Sequence, residues 1–324
     1  VNEWTPIVDN GNGKEMSIHD VMKIFKHPKA KVGMSGGKRV DYIPARRISV
    51  PVNRENVLKY GILDAKYADL IPDKIVLEIP KDKEYVTKPE LFLLDFLSGY
   101  QWDRPLNMLN QGGDLNIGIK DYLEFEGYSY KFIPIRNHIN TSSAEIGFVD
   151  EDALYRRMKE TYKWDAMAAD DYFVDYQNVY TQMGVISVRS MFLCCANAFF
   201  KAGDREKAVE MLDACIYYTK NFPLESIPLD LSGGDYVVVN IISAYYRFGE
   251  AEKAKYVGVA LGQSLLEAAQ FYLEFYEWAK DDFEMVANYI YYLGNELKNG
   301  GDVKLAEELI TSLDGMMKAV SNPS

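Results

Sequence analysis

The chain has 324 residues, 48% of them apolar, with Lys+Arg 36 against Asp+Glu 48 and a formal charge of −12. That length accommodates two domains of ordinary size, each able to bury its own core. The negative balance, with no Lys/Arg stripe to offset it, repels phosphate backbones and excludes nucleic acid as a partner.

Asp9 to Gly13 (DNGNG) reads as a loop. Ser17 with Asp20 forms a capping pattern that opens a short helix through Lys26, which Pro28 ends. Gly33, Gly36 and Gly37 mark a second loop. Arg39–Ile43 and Arg46–Val50 are expected to be strands of a hairpin around Pro44-Ala45. Asn53 caps a helix to Tyr60, and the alternating Lys74–Ile79 stretch is a strand. Thr87-Lys-Pro-Glu90 is a capping box with Pro in the first turn, and its helix runs through Leu97 to stop at Gly99. After the Trp102-Asp103-Arg104-Pro105 turn, Leu106–Leu109 and Tyr128–Ile135 are strands. These elements predict a small α/β domain over 1–149.

From Asp150 the chain is helical nearly throughout. A bulky residue, Gly, an acidic residue and then Ala recur at Phe200/Gly203-Asp204/Ala208, Phe248-Gly249-Glu250/Ala254 and Gly300-Gly301-Asp302/Ala306. Gly suits a left-handed helix end, the acid caps the next helix, and Ala lets helices approach. This is the pattern of tetratricopeptide-like helical hairpins, although the intervals are unequal and exceed the ~34 residues of a regular array. A loop spans Phe222–Asp235 with Pro223, Pro228 and Gly233-Gly234, and one long helix is expected from Glu250 to about Lys280, striped by Val257, Leu261, Leu265, Tyr272 and Phe275. The fold class is therefore α+β, with the α/β domain followed by an all-α hairpin domain over 150–324.

Catalytic signatures do not emerge. Gly33-Met-Ser-Gly-Gly37-Lys38 misses phosphate-loop spacing and leads into a strand, and the Asp9 loop lacks a closing calcium-binding Glu. His19, His27 and His138 have no metal-ligand spacing, and no G-x-S-x-G elbow is present. Carboxylate pairs such as Glu124 with Glu126, and Asp170-Asp171 with Asp175, read as solvated surface acid. No metal site or cofactor is expected. Cys194, Cys195 and Cys215 fall on helical patterns as small core residues, with a bridge from Cys194 or Cys195 to Cys215 open as an alternative. No run of 18 apolar residues spans a membrane. The chain begins Val-Asn-Glu-Trp with no signal peptide, and it reads as an excised soluble piece of something longer. Two aromatic sites hold the main binding candidates: Trp102 with Asp103 and Arg104, and Trp164 followed by Asp175, where a ring face beside polar groups suits a sugar. The competing reading is that both Trp join the two domains.

Several segments carry a family resemblance. Ala68-Asp-Leu-Ile71 precedes the Lys74–Ile79 strand, and a helix ending near Leu97 leads to Trp102, Arg104 and Pro105. Gly118-Ile-Lys-Asp-Tyr122-Leu-Glu-Phe-Glu-Gly127 is followed by Tyr130 and Pro134, and Tyr172-Phe-Val-Asp175 precedes the Gly203 hairpin. This wording resembles the C-terminal soluble region of an uncharacterised family of multi-span Bacteroidota proteins, themselves similar to protein O-mannosyltransferases that use lipid-linked sugars. The resemblance is most specific over Tyr67–Ile135 and weakest in the helical half. It implies a periplasmic, non-catalytic region of a membrane glycosyltransferase-like protein. The region would partner that protein's own transmembrane part and a protein or glycan acceptor. Binding would fall to Trp102, Asp103, Arg104, Tyr122, Trp164 and Asp175, with the catalytic carboxylate elsewhere. The chain departs from the family at Leu106-Asn107-Met108 and Tyr176-Gln177-Asn178, so any ligand there would differ. The alternative function is an envelope interaction scaffold built on the helical hairpins, with no role in sugar transfer.

Overall fold

The structure is a computed structural model, and it describes residues 4–9, 13–34, 37–109, 115–137, 147–175, 184–225 and 236–321. Gly36, His138, Tyr176–Asn178 and Gly233-Gly234 lie outside the described residues. The chain forms two compact units, Val1–Arg157 and Met158–Ser324.

The first unit mixes short strands and helices. Strands β2 (Glu15–Ser17), β5 (Arg47–Pro51) and β6 (Lys74–Glu78) make a sheet in the order β2-β5-β6, with β2 parallel and β6 antiparallel to β5. In β6, Ile75 and Leu77 point into the core while Lys74 stays exposed, which is the period-two alternation of a half-buried strand. Strands β1 (Trp4–Pro6) and β7 (Tyr85–Thr87) pair antiparallel, and β8 (Asn107–Met108), β10 (Tyr130–Phe132) and β9 (Leu123–Phe125) form a second three-stranded sheet in that order. Helices α1 (Ile18–Phe25), α2 (Arg54–Lys59), α3 (Lys88–Gly99) and α4 (Glu151–Arg156) start at the side-chain caps Ser17, Asn53, Thr87 and Asp150. The Thr87 box is tied into the core: the fully buried Glu90 carboxylate accepts from Thr87 N at 2.9 Å and from Asn116 N at 2.7 Å, and pairs with Lys83 Nζ at 3.1 Å. A buried carboxylate is tolerated only when partnered in this way.

The expected hairpin over Arg39–Val50 does not form. The two-residue strand β4 (Arg39–Val40) instead pairs with β3 (Val32–Gly33), and β5 lies between β2 and β6. The central position buries Ile48 and Val50 completely. A local hairpin would leave one edge of β5 unpaired, and this non-local arrangement pairs both.

The second unit is helical among its described residues: α5 (Val185–Lys201), α6 (Arg205–Tyr218), α7 (Val237–Arg247), α8 (Ala251–Glu274), α9 (Tyr276–Asn299) and α10 (Val303–Ser321). Its three Gly-acid turns share one geometry. Gly203, Gly249 and Gly301 take φ of 88, 80 and 101°. The following amide reaches back to Phe199, Tyr245 and Leu297 carbonyls at 2.9, 2.8 and 2.9 Å, which is the Schellman pattern. Ala208, Ala254 and Ala306 are buried, as their place in the pattern requires.

The acidic residues do not all cap. Asp204 accepts from Lys207 N at 3.0 Å, but Glu250 makes no cap bond and holds Arg205 Nη2 at 2.5 Å instead. Asp302 accepts from the Tyr246 hydroxyl at 2.6 Å. The turns are thus cross-linked, and Phe200 stacks on Phe248 at 4.3 Å.

The long helix expected from Glu250 to Lys280 breaks at Phe275 (φ −116°, ψ 27°), where the buried stripe of Val257, Leu261, Leu265 and Ala269 has run out into exposed Phe271 and Phe275. The chain then continues as α9, itself kinked at Ala279, and packs back on α8. None of the three cysteines is in a disulfide, so the alternative bridge is absent; Cys195 and Cys215 are buried core residues.

Candidate functional site

The Trp102 turn places its residues in opposite directions. Trp102 holds a left-handed φ of 57°, the one non-glycine residue with positive φ among those described. Its side chain is fully buried, stacked on Phe132 at 5.1 Å and 15°, and its indole N–H donates to Pro51 O at 2.8 Å. Both the ring face and the polar tip are therefore occupied within the fold. The Tyr100 hydroxyl closes the turn by donating to Arg104 O at 2.5 Å, and burial, followed by the Asp103 charge, pushes its phenol up to about 12. Asp103 and Arg104 stand exposed on the outer side, with the Arg104 guanidinium 6.0 Å from the Phe96 ring centre.

Tyr122 is buried beside Phe132, so it belongs to the same aromatic cluster as Trp102. Its hydroxyl donates to Val76 O at 3.0 Å and accepts from Val76 N at 3.1 Å. Strand β6 is a sheet edge at this point, and one phenol satisfies both backbone groups there. Trp164 lies in the second unit, nearly buried, with its ring 5.0 Å from Phe192 and its N–H donating to Met158 O at 2.9 Å. Each tryptophan is therefore packed within its own unit. Asp175 is exposed.

A denser polar constellation sits where the sequence suggested only surface acid. Glu124, Glu126 and Lys131 are all buried. Lys131 Nζ lies 2.9 Å from Glu124 and 3.1 Å from Glu126, and Arg157 Nη2 lies 2.6 Å from Glu126. Asn107 donates to the other Glu126 oxygen at 2.9 Å. Burial raises the Glu124 carboxyl, with the Lys131 charge opposing it. Arg157 Nη1 is buried without a hydrogen-bond partner. Two carboxylates against two cations make the group formally neutral, and it fastens β9 and β10 to the residue that ends α4. The missed signal was register: Glu124 and Lys131 are direct cross-strand partners. Phe148 pairs along the outer edge of β9 through the Phe125 N to Phe148 O bond of 2.8 Å.

In the second unit, Arg189 is fully buried and donates to Thr219 Oγ1 at 3.2 Å and to the Phe222 and Pro223 carbonyls at 3.3 and 2.9 Å. Desolvation lowers its guanidinium from the ordinary range. These bonds tie α5 to the end of α6. An open groove of about 540 Å³ lies between α8 and α10. Among the described residues no cluster of three or more His, Cys, Asp or Glu could hold a metal ion, and no helix is long and apolar enough to cross a membrane.

Residues 2–153 match the family described as TMEM260-associated domain 2. The match covers the first unit almost end to end, and the resemblance read over Tyr67–Ile135 falls inside it. The first unit is thus similar to a domain of unknown function associated with a membrane-protein family. No curated protein and no solved structure matches the chain.

Proposed function

We propose that this chain is a non-catalytic region of a membrane glycosyltransferase-like protein of Bacteroidota type. In this reading it stands on the periplasmic face and positions a protein or glycan acceptor for a sugar carried on a polyprenyl phosphate. The carrying observation is the match of residues 2–153 to a membrane-protein-associated domain. Its partners are the protein's own transmembrane region and the acceptor. The exposed Asp103 and Arg104 of the first unit meet the ligand, and the buried Trp102 supports the backbone that carries them; Asp175 is a separate exposed acid of the second unit.

The test is sugar transfer in membranes carrying the full-length protein. Asp103→Ala with Arg104→Ala is expected to lower transfer to the acceptor about tenfold while lipid-linked donor binding is unchanged. Unchanged transfer with a normally folded variant counts against the proposed binding role. The upstream coding sequence is a second check: many apolar spans are expected, and a plain signal peptide would sink the reading.

The alternative is an envelope interaction scaffold with no part in sugar transfer. Two observations favour it: the indole faces of Trp102 and Trp164 are turned into their own cores, and the helical unit has an open groove. Transfer that survives in-frame deletion of this chain would select it.

A further inference from the structure

The groove of the helical unit is apolar at its base and acidic at its rim. Val259 and Leu266 of α8 face Leu305, Leu309 and Met316 of α10, and Leu297 of α9 forms the floor. Two glycines on α8 let the leucines of the neighbouring helices pack close beneath it. A Cβ at Gly258 would lie 2.8 Å from Leu297 Cδ2, and one at Gly262 would lie 3.3 Å from Leu309 Cδ1. The α8 wall therefore recedes, and the two leucines fill the recess. Val259 remains 45% exposed, and Leu266, Leu305 and Met316 are half-buried, so the apolar surface is reachable from outside. The α8 wall from Val259 to Gln270 is about 17 Å long at the helical rise, the length of roughly three turns of a docked helix.

Charge selects the kind of helix. Among the described residues the ionisable lining groups are Glu267 and Glu308, one on each wall, and no basic residue lines the groove. Gln263 donates to Glu267 at 3.2 Å, and Lys304 approaches Glu308 only to 3.6 Å with both side chains largely exposed, so the carboxylates remain open to a stronger partner. The charge of the whole chain is also concentrated here: residues 158–324 hold 25 acidic against 14 basic residues, whereas 1–157 are nearly balanced. A partner rich in Lys and Arg is steered toward this unit and an acidic one is repelled.

We propose that the α8–α10 groove docks an amphipathic helix whose apolar face is flanked by Lys and Arg. The inference goes beyond the reading above, because it requires neither a sugar nor a membrane. The apolar face seats on Val259, Leu266 and Met316, and the flanking cations pair with Glu267 and Glu308.

The test uses the full chain and a labelled synthetic peptide of about 14 residues, with Leu along one helical face and Lys elsewhere. Fluorescence anisotropy is expected to give a dissociation constant of about a micromolar. A peptide of the same composition with its Leu order scrambled is expected to bind about tenfold more weakly, and a version with Glu in place of Lys not to bind. Leu266→Gln with Met316→Gln is expected to weaken binding about tenfold. Glu267→Gln with Glu308→Gln, both at exposed positions, weakens it and flattens its salt dependence. Circular dichroism melts of both variants should match the wild type. Equal binding of the scrambled or Glu peptide, or groove variants that bind as well as wild type, would overturn the proposal. So would a dimer of the chain alone in sedimentation that Leu266→Gln with Met316→Gln disperses, because a second copy would then be the occupant.

Discussion

Trp102 combines a left-handed backbone, which costs a non-glycine residue roughly 1–2 kcal/mol, with complete burial of the largest side chain in the sequence. Stacking on Phe132 and the bond to Pro51 O hold it there. Trp102→Ala is expected to lower the urea unfolding free energy by about 3–5 kcal/mol, the usual range for a buried large aromatic. Trp102→Gly should cost less than Trp102→Ala despite losing one more carbon, since glycine accepts the positive φ. The reverse order would mean that the backbone is not strained at this site. The thiols offer a second residue-scale test. Burial pushes Cys215 up to about 12 and Cys195 well above its ordinary value, while Cys194 is partly exposed. Iodoacetamide at mildly alkaline pH should label Cys194 first, and the other two only as urea unfolds the chain. Prompt labelling of Cys215 in the native state would contradict its packing.

The Gly-acid turns act at the scale of the element. The same backbone bonds close all three, but the acids divide the work: Asp204 caps α6, Glu250 holds Arg205, and Asp302 holds Tyr246. Asp204→Ala is expected to cost about 1 kcal/mol at neutral pH, as loss of an N-cap does. The bonds from Lys207 lower the Asp204 carboxyl below its ordinary 3.8. A lowered acid stabilises the fold above its ordinary value, and this is lost as pH falls through the lowered folded value. The difference between wild type and Asp204→Ala in urea melts should therefore shrink as pH drops below 3.8. A difference independent of pH would show that the charge on Asp204 contributes nothing.

At the scale of the whole molecule, the end of the first unit depends on the buried charge group. Arg157 reaches Glu126, and Asp150 both caps α4 and pairs with Lys66 at 2.9 Å. A chain ending at residue 149 loses both, whereas one ending at 157 keeps them. Residues 1–157 are expected to unfold cooperatively on their own, and residues 1–149 to be less stable by about 3 kcal/mol or more, because Glu126 and Lys131 are left with a broken network. Matching urea midpoints for the two fragments would place the boundary earlier and reduce the network to decoration.

The helix starts at Ser17, Asn53, Thr87 and Asp150, and the three glycine turns, were legible in the sequence because caps and left-handed turns are settled within four or five residues. The strand at Lys74 was legible from its alternation. The position of β5 between β2 and β6 was not, since pairing between distant strands leaves no local mark. Neither was the burial of Glu124 and Glu126, whose cations come from the opposite strand and from the residue just after α4. The break at Phe275 was hidden by an apolar stripe that continues in sequence although Phe271 and Phe275 stand exposed. The sequence by itself determined the α+β class, the acidic balance and the local punctuation of the chain. Only the tertiary structure decided that Trp102 faces inward, that the Glu124 pair is a buried ionic link, and that α8 and α10 leave a groove between them. Those outcomes depend on which surfaces meet across long stretches of chain, and burial there changes what the same side chains can do.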